Sequence, residues 1–450
     1  MNKVDNAELL RSARDAAKNT AGYQRINALF DVGSFNEIDC FAKSGENYTE
    51  AVAGYGTIEG CSAYAFAQNS DIEGGAMSSA QAAKIKKLYN LAITTGIPIV
   101  GIYDSIGGRL KEGSDMLAAY GEILLKANNL SGVVPQISLI LGPCIGASAM
   151  IAASGDIIVM SDKAELTIDT NGEHGSAAEA AELGVCHIVA KDEQAAIDSV
   201  RKLITLLPSN NLSGVPVLDI QGSNDTAALT DESDIKSILA AVCDEDSFLE
   251  FGKMFGKSAI TGLSEIDGTT AGIVSLNGVL DADSCTKAAR FIRFCDSYSL
   301  PVVTFVNAER FVSLREASKL SGCYSEATTG KITVITGAAY GSVYIATAGR
   351  GANADYTISW PNAVVSPLAP ETAAVFLWSD RLTGSANPVE DRKNLIEEYK
   401  VTEASPFAAA ANGFIEDIIN PVDTRVRIIA ILQMISGKRV SGLPKKHSNI

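Results

Sequence analysis

The chain is 450 residues long with 46% hydrophobic and 20% charged residues, enough for two cores, because single cores stop growing near roughly 250–300 residues. A formal net charge of -16 opposes nucleic acid and anionic lipid, which are held mainly by cationic patches. Eight cysteines show neither a C-x-x-C pair nor a regular framework, which reads as reduced, mostly buried thiols.

Residues 1–24 carry an amphipathic helical pattern without the apolar run of a secretory signal. Later apolar stretches such as Val133–Leu141 have strand length, far short of the roughly 20 residues needed to span a bilayer. A cytoplasmic protein is expected, one that could still dock peripherally on a membrane partner. From there the chain repeats itself. The segment DVGSFNEID at Asp31–Asp39 returns as DEDSFLEFG at Asp244–Gly252, and Gly54–Gln68 returns as Gly262–Leu276. The run ending at Asp104 matches one ending at Asn307, and ISLILGPCIGASAMIAA from Ile137 matches ITVITGAAYGSVYIATA from Ile332. Four matches in one order point to a duplicated unit.

Each copy alternates strands and helices. In the first, the 3.6-residue period gives a helix over Ala82–Thr95, ended by Gly96-Ile97-Pro98, then a buried strand over Ile99–Tyr103. In the second, Lys287–Tyr298 and Pro301–Val306 play the same parts. Leu207–Thr226, rich in Pro, Ser, Asn and Gly, reads as the linker.

Two turns could carry chemistry. A strand over Gln136–Leu141 runs into a tight Gly142-Pro143 turn, and Gly146-Ala147 then opens an apolar helix. The first amides of a helix lack an internal acceptor, glycine lets a ligand approach the backbone, and donors so placed can stabilise an enolate oxygen. Gly341-Ser342 falls opposite in the second copy. The bland alternative is that these glycines serve only strand–helix packing. The other turn, Ser105–Lys111, holds Gly107, Gly108, Arg109 and Lys111 and leads to a helix near Ser114. Its positive edge suits the phosphates of a cofactor such as coenzyme A, or is an ordinary solvated loop. Lys84, Lys86 and Lys87 read more as a solvated helix stripe than as a phosphate site. Three histidines, among them His174 in a polar loop, show no metal-binding spacing, and no P-loop or nucleophile elbow is present. Trp360 reads as packing.

At these residues the sequence resembles the biotin-dependent acyl-CoA carboxylase carboxyltransferase family, which includes propionyl-CoA carboxylase β subunits, methylmalonyl-CoA decarboxylase α subunits and transcarboxylase large subunits. LFDVGSFNEID, DSIGGRLKEG, YGEIL, SGVVPQISLILGPCIGA, KAARFIRFCDSYSLPVVTFV and ITVITGAAYG carry the resemblance. It implies an α/β fold of two tandem crotonase-like (ClpP/crotonase) ββα-superhelix domains: a helical extension (1–24), a CoA-side domain (25–206), a linker (207–226) and a biotin-side domain (227–450). Implied too are a short-chain acyl-CoA substrate, biotin on a separate carrier protein, no metal, and a homo-oligomer built from dimers, often a hexamer. A biotin carboxylase subunit or membrane decarboxylase subunits would be further partners. Two backbone oxyanion holes would lie at Gly146 and Ala147 and at Gly341 and Ser342, with Gly107, Gly108, Arg109, Lys111, Val343 and Ile345 around the substrate.

The chain departs from the family pattern at Ile106, where the first glycine of a Ser-Gly-Gly-Ala-Arg loop is usual, and at Ser342-Val343 and Ile345. It also departs in the shortened stretches after Val306 and over Asp169–Ala177. A non-catalytic paralogue within such a complex, or a biotin-independent crotonase-type enzyme with an acid poised over the hole, are the alternatives. Binding of a biotinylated carrier separates the first reading from the last, and turnover separates it from the paralogue.

Overall fold

The computed structural model describes residues 5–45, 47–168, 175–219 and 225–440. They form two compact units, Met1–Pro216 and Val217–Ile450. The first opens with α1 (Asn6–Lys18) and α2 (Ala21–Leu29), followed by β1 (Asn36–Glu37), a small hairpin of β2 (Lys43–Ser44) and β3 (Asn47–Tyr48), then β4 (Ala51–Ile58) and β5 (Cys61–Gln68). Next come α3 (Ser79–Thr95), β6 (Ile99–Ser105), α4 (Asp115–Leu130), β7 (Gln136–Ile145), α5 (Ala147–Ala153), β8 (Ile157–Ser161) and β9 (Glu165–Thr167). The unit closes with α6 (Ala177–Glu182), β10 (Ile188–Ala190) and α7 (Glu193–Leu206).

The second unit repeats the scheme with α8 (Ile235–Val242), β11 (Leu249–Phe251), β12 (Ala259–Ile266), β13 (Thr269–Leu280), α9 (Ala282–Ser297), β14 (Val302–Phe311), α10 (Leu314–Glu326), β15 (Lys331–Tyr340) and α11 (Ser342–Thr347). It continues through β16 (Tyr356–Ser359), β17 (Val364–Ser366), α12 (Pro370–Leu382), α13 (Pro388–Val401), α14 (Pro406–Ala411), β18 (Asp417–Ile418) and α15 (Thr424–Ile435).

The two main sheets match pair for pair. One is ordered β1-β4-β5-β6-β7-β8-β10 with β9 beside β7, the other β11-β12-β13-β14-β15-β16-β18 with β17 beside β15. In each, the first two pairings are antiparallel and the rest parallel. Side chains repeat as well. Asp31 accepts from the amides of Glu59 (3.0 Å) and Gly60 (2.9 Å) and pairs with Arg201 (3.0 Å). Asp244 does the same with Asp267 (3.0 Å), Gly268 (2.8 Å) and Arg425 (2.5 Å). Each pair fixes the hairpin that starts a sheet, so the duplication extends from sequence to polar anchors.

Local rules explain the elements. Ser78 caps α3 by accepting from the Gln81 amide, and Gly96 ends it with φ +67°, a conformation glycine adopts without a Cβ penalty. All seven residues of β6 are buried, as expected of a parallel strand covered on both faces. β7 differs from expectation: it does not end in a Gly-Pro turn but runs on to Ile145. Its first half pairs with β8 and its second half, from Pro143, with β9, so the glycine and proline mark a change of partner. Within the stretch expected as linker, Leu207 is buried and Asn210 bonds the Gly96 carbonyl (2.8 Å), so its first residues pack on the first unit. Trp360 is fully buried and donates to Thr424 Oγ1 (3.0 Å). Six of the cysteines are buried, and none of the eight is in a disulfide.

Candidate active site

The two expected turns of the first unit lie at neighbouring strand ends, where β6 and β7 leave the sheet side by side, Ser105 opposite Cys144. Beyond β6 three of the four amides from Ile106 to Arg109 are used. Ile106 donates to the Gly74 carbonyl (3.1 Å), Gly107 to Ser105 Oγ (3.2 Å) and Arg109 to the Met77 carbonyl (2.9 Å), while the Met77 amide donates to the Gly107 carbonyl (2.8 Å). Gly107 sits at φ +118°, which favours glycine. The Gly108 N–H alone in this run has no partner among the described residues. A trans peptide sets it opposite the Gly107 carbonyl, so it points away from Met77.

Beyond β7, Gly146 (φ +67°) donates its N–H to the Thr167 carbonyl (2.8 Å), leaving Ala147 as the first helical amide without an internal acceptor. Ala147 is exposed. Tyr120 of α4 reaches both elements: a Cβ added at Gly108 would lie 3.0 Å from its ring, and its hydroxyl is 3.2 Å from Ser148 Oγ. Tyr120 lies within YGEIL, and its spacing gave no sign of this position.

The second unit keeps half of this arrangement. Gly341 (φ +43°) donates to the Ser366 carbonyl (2.8 Å) and the exposed Ser342 opens α11, matching Gly146 and Ala147. The loop is not repeated, because β14 stays in the sheet to Phe311, with Arg310 opposite Val279 and Phe311 opposite Leu280.

The side chains expected to face substrate divide. Arg109 is not free for a phosphate, since it pairs with Glu50 and donates to Ser44 Oγ (2.6 Å), with Glu73 at 3.2 Å. Lys111 is exposed and without an ion pair among the described residues. Val343 is fully buried, so only its backbone can meet a ligand, whereas Ile345 is 61% exposed. The lysines on α3 form no free basic stripe: Lys84 is buried against Glu37 (3.0 Å), Lys86 pairs with Glu122 (2.5 Å) and Lys87 with Asp39 (2.7 Å). His174 lies outside the described residues.

Two titratable groups beside the turns are pushed above their usual range. Burial pushes the Tyr340 phenol up to about 12, helped by Glu371 and Glu309, and burial pushes the Cys144 thiol far above its usual value. Neither is a base at neutral pH. Among the described residues no group of three His, Cys, Asp or Glu side chains could hold a metal. What the geometry offers is backbone donors and an exposed cation.

Residues 13–450 match the family model described as the carboxyl transferase domain. The chain belongs to that family. It is 35% identical to the propionyl-CoA carboxylase carboxyltransferase subunit of Haloferax mediterranei, over 100% of this chain and 96% of that one. It is also 35% identical to the methylmalonyl-CoA decarboxylase α subunit of Veillonella parvula, over 95% and 92%. Among solved structures, transcarboxylase 12S, a hexamer with hydrolysed methylmalonyl-coenzyme A bound, superposes with a TM-score of 0.88 at 31% identity, covering 98% of this chain and 94% of that one. The family's fold is thus that of two tandem crotonase-like α/β domains. No helix among the described residues is long and apolar enough to cross a membrane.

Proposed function

We propose that the chain moves a carboxyl group between biotin on a separate carrier protein and the α-carbon of a short-chain acyl-CoA. Propionyl/methylmalonyl-CoA is the first choice, with acetyl/malonyl-CoA and glutaconyl-CoA next. The observation that carries the reading is the pair of matched strand-to-helix turns, each with its glycine amide bonded to a neighbouring strand and the next amide left over. Residues 25–206 form the CoA side and 227–450 the biotin side, with 1–24 as an extension and 207–226 as the linker.

Biotin, when bound, brings the carboxyl group and the base. The exposed Ser342 amide fits the ureido oxygen of its ring system, which gains negative charge as the carboxyl group leaves. On the CoA side the N–H groups of Gly108 and Ala147 hold the thioester oxygen as it gains charge, a fixed arrangement that need not reorganise during reaction. Lys111 meets the CoA phosphates, and Ile345 borders the acyl group. Gly107, Gly146 and Gly341 let the backbone approach the ligands. This division of labour needs no side-chain acid–base pair. Partners are the biotin carboxyl carrier protein, a biotin carboxylase subunit or membrane decarboxylase subunits, and further copies of the chain, as a hexamer.

A second reading, a structural subunit without turnover, is favoured by β14 staying in the sheet where the first unit has its loop. One experiment separates the two. The purified chain is incubated with methylmalonyl-CoA, malonyl-CoA or glutaconyl-CoA, with and without a biotinylated carrier, and loss of the carboxyl group is followed by mass spectrometry. Biotin-dependent loss supports the transferase and names the acyl group. No loss from a folded, assembled chain favours the structural subunit.

A further inference from the structure

We propose that Arg109 is a positioning residue for the Gly108 amide, acting through a buried clamp on Glu50, and that it does not bind the phosphates of the substrate. The inference rests on the reading of the first unit as the CoA side.

Glu50, fully buried, pairs with the Arg109 guanidinium, and its other carboxylate oxygen accepts from Ser78 Oγ (2.5 Å). Ser78 in turn caps α3. The same guanidinium donates to Ser44 Oγ (2.6 Å) on the small hairpin and lies 3.2 Å from Glu73. Arg109 therefore ties the loop to the hairpin, to the chain entering β4 and to the start of α3. A second tie lies three residues on, where Glu112 accepts from the amide (2.8 Å) and hydroxyl (2.6 Å) of Ser79. Between β6 and these ties the backbone is fixed to Met77 on both sides of Gly108, through the Gly107 carbonyl and the Arg109 amide. The one amide left over between Ile106 and Arg109 is held in direction by groups that never meet the ligand. A guanidinium fork suits this role, since it bonds a carboxylate and a hydroxyl at once from a rigid plane.

The test compares Arg109→Gln and Glu50→Gln with the unaltered chain on methylmalonyl-CoA and on methylmalonyl-pantetheine, which lacks the nucleotide phosphates. Misplacing a catalytic group by about 1 Å can cost on the order of 100-fold. Both variants should lose kcat by roughly 10- to 100-fold on both thioesters alike, with KM for the CoA ester within about twofold, and Arg109→Lys should recover part of the loss. A rise in KM confined to the CoA ester, with pantetheine turnover unchanged, would assign Arg109 to the phosphates and overturn the proposal. Hydrogen exchange over residues 105–110 gives a readout that needs no turnover. Exchange should quicken in both variants, and unchanged exchange overturns the clamp even in a chain that transfers nothing. Lack of turnover in the unaltered chain speaks only against the functional reading.

Discussion

Beneath the first loop the two copies solve one packing problem in different ways, through three linked positions. Asn307 in the second unit accepts from the Ala338 amide (2.9 Å) and lies against Gly337, where a Cβ would strike its amide group. The corresponding positions of the first unit are Asp104, Pro143 and Gly142. Proline has no N–H to donate, and Asp104 turns instead to Arg25 (2.5 Å) and Ser70 (2.8 Å), while Arg25 also holds Glu193 (3.0 Å). The residue matching Arg25 is the buried Ile238. Removing one partner of a buried pair costs more than replacing both. Arg25→Ile and Asp104→Asn should each destabilise by about 3 kcal/mol, and the double variant, which copies the second unit, should fall short of the sum by at least about 1 kcal/mol. Urea unfolding of all four proteins measures the difference; simple additivity would dissolve the coupling.

Asp31 gives a pH prediction at the same scale. The Gly60 amide first, then Thr57, the Glu59 amide and Arg201, hold its carboxyl down at about 2 against a usual 3.8, with burial opposing them. Because the folded value is depressed, its stabilisation is present above the unfolded value and is lost as pH falls from about 4 through about 2. Asp31→Asn should cost about 1–2 kcal/mol near neutral pH, allowing for partial exposure, and the loss should shrink towards pH 2. Chemical denaturation across that range reads it directly. A pH-independent loss would mean that packing, not charge, is what Asp31 supplies.

The decisive elements are two short helices, α5 and α11, whose first residues are Ala147 and Ser342. Proline is well tolerated at the first helical position, because the N–H it removes has no acceptor within the helix. Ala147→Pro and Ser342→Pro thus delete one donor each with little disturbance to the helix that follows. Both should retain their melting temperature within a few degrees and lose roughly 100-fold or more in biotin-dependent carboxyl transfer, the scale of losing one oxyanion donor. CoA-thioester binding measured by calorimetry should persist in Ser342→Pro. Full activity in either variant would remove that turn from the mechanism.

For the whole molecule, duplication followed by divergence explains why one chain carries a glycine loop beside its first turn and a strand that stays in the sheet beside its second. If the CoA side of one copy works with the biotin side of another, co-assembled Ala147→Pro and Ser342→Pro chains regenerate one intact site in each mixed dimer. Random mixing then restores about one quarter of normal activity. Activity no higher than that of the separate variants would mean that each chain completes its own site. Sedimentation of the mixture confirms that the variants assemble.

The sequence by itself determined the duplication, the alternation of strands and helices, the family resemblance and the positions of both turns, because these depend on local periodicity and on glycines whose need is local. It also supplied the strand Ile99–Tyr103 and the helix Ala82–Thr95 to within a few residues of β6 and α3. Tertiary structure decided which amides are left over. The Gly146 N–H was taken by Thr167, and the Arg109 guanidinium by Glu50, a residue 59 positions away. Lys84 was drawn inward by Glu37, and Val343 went into the core. Hydrogen-bond and ion-pair partners distant in sequence leave no periodic trace, so the roles of these residues were fixed only when the chain folded.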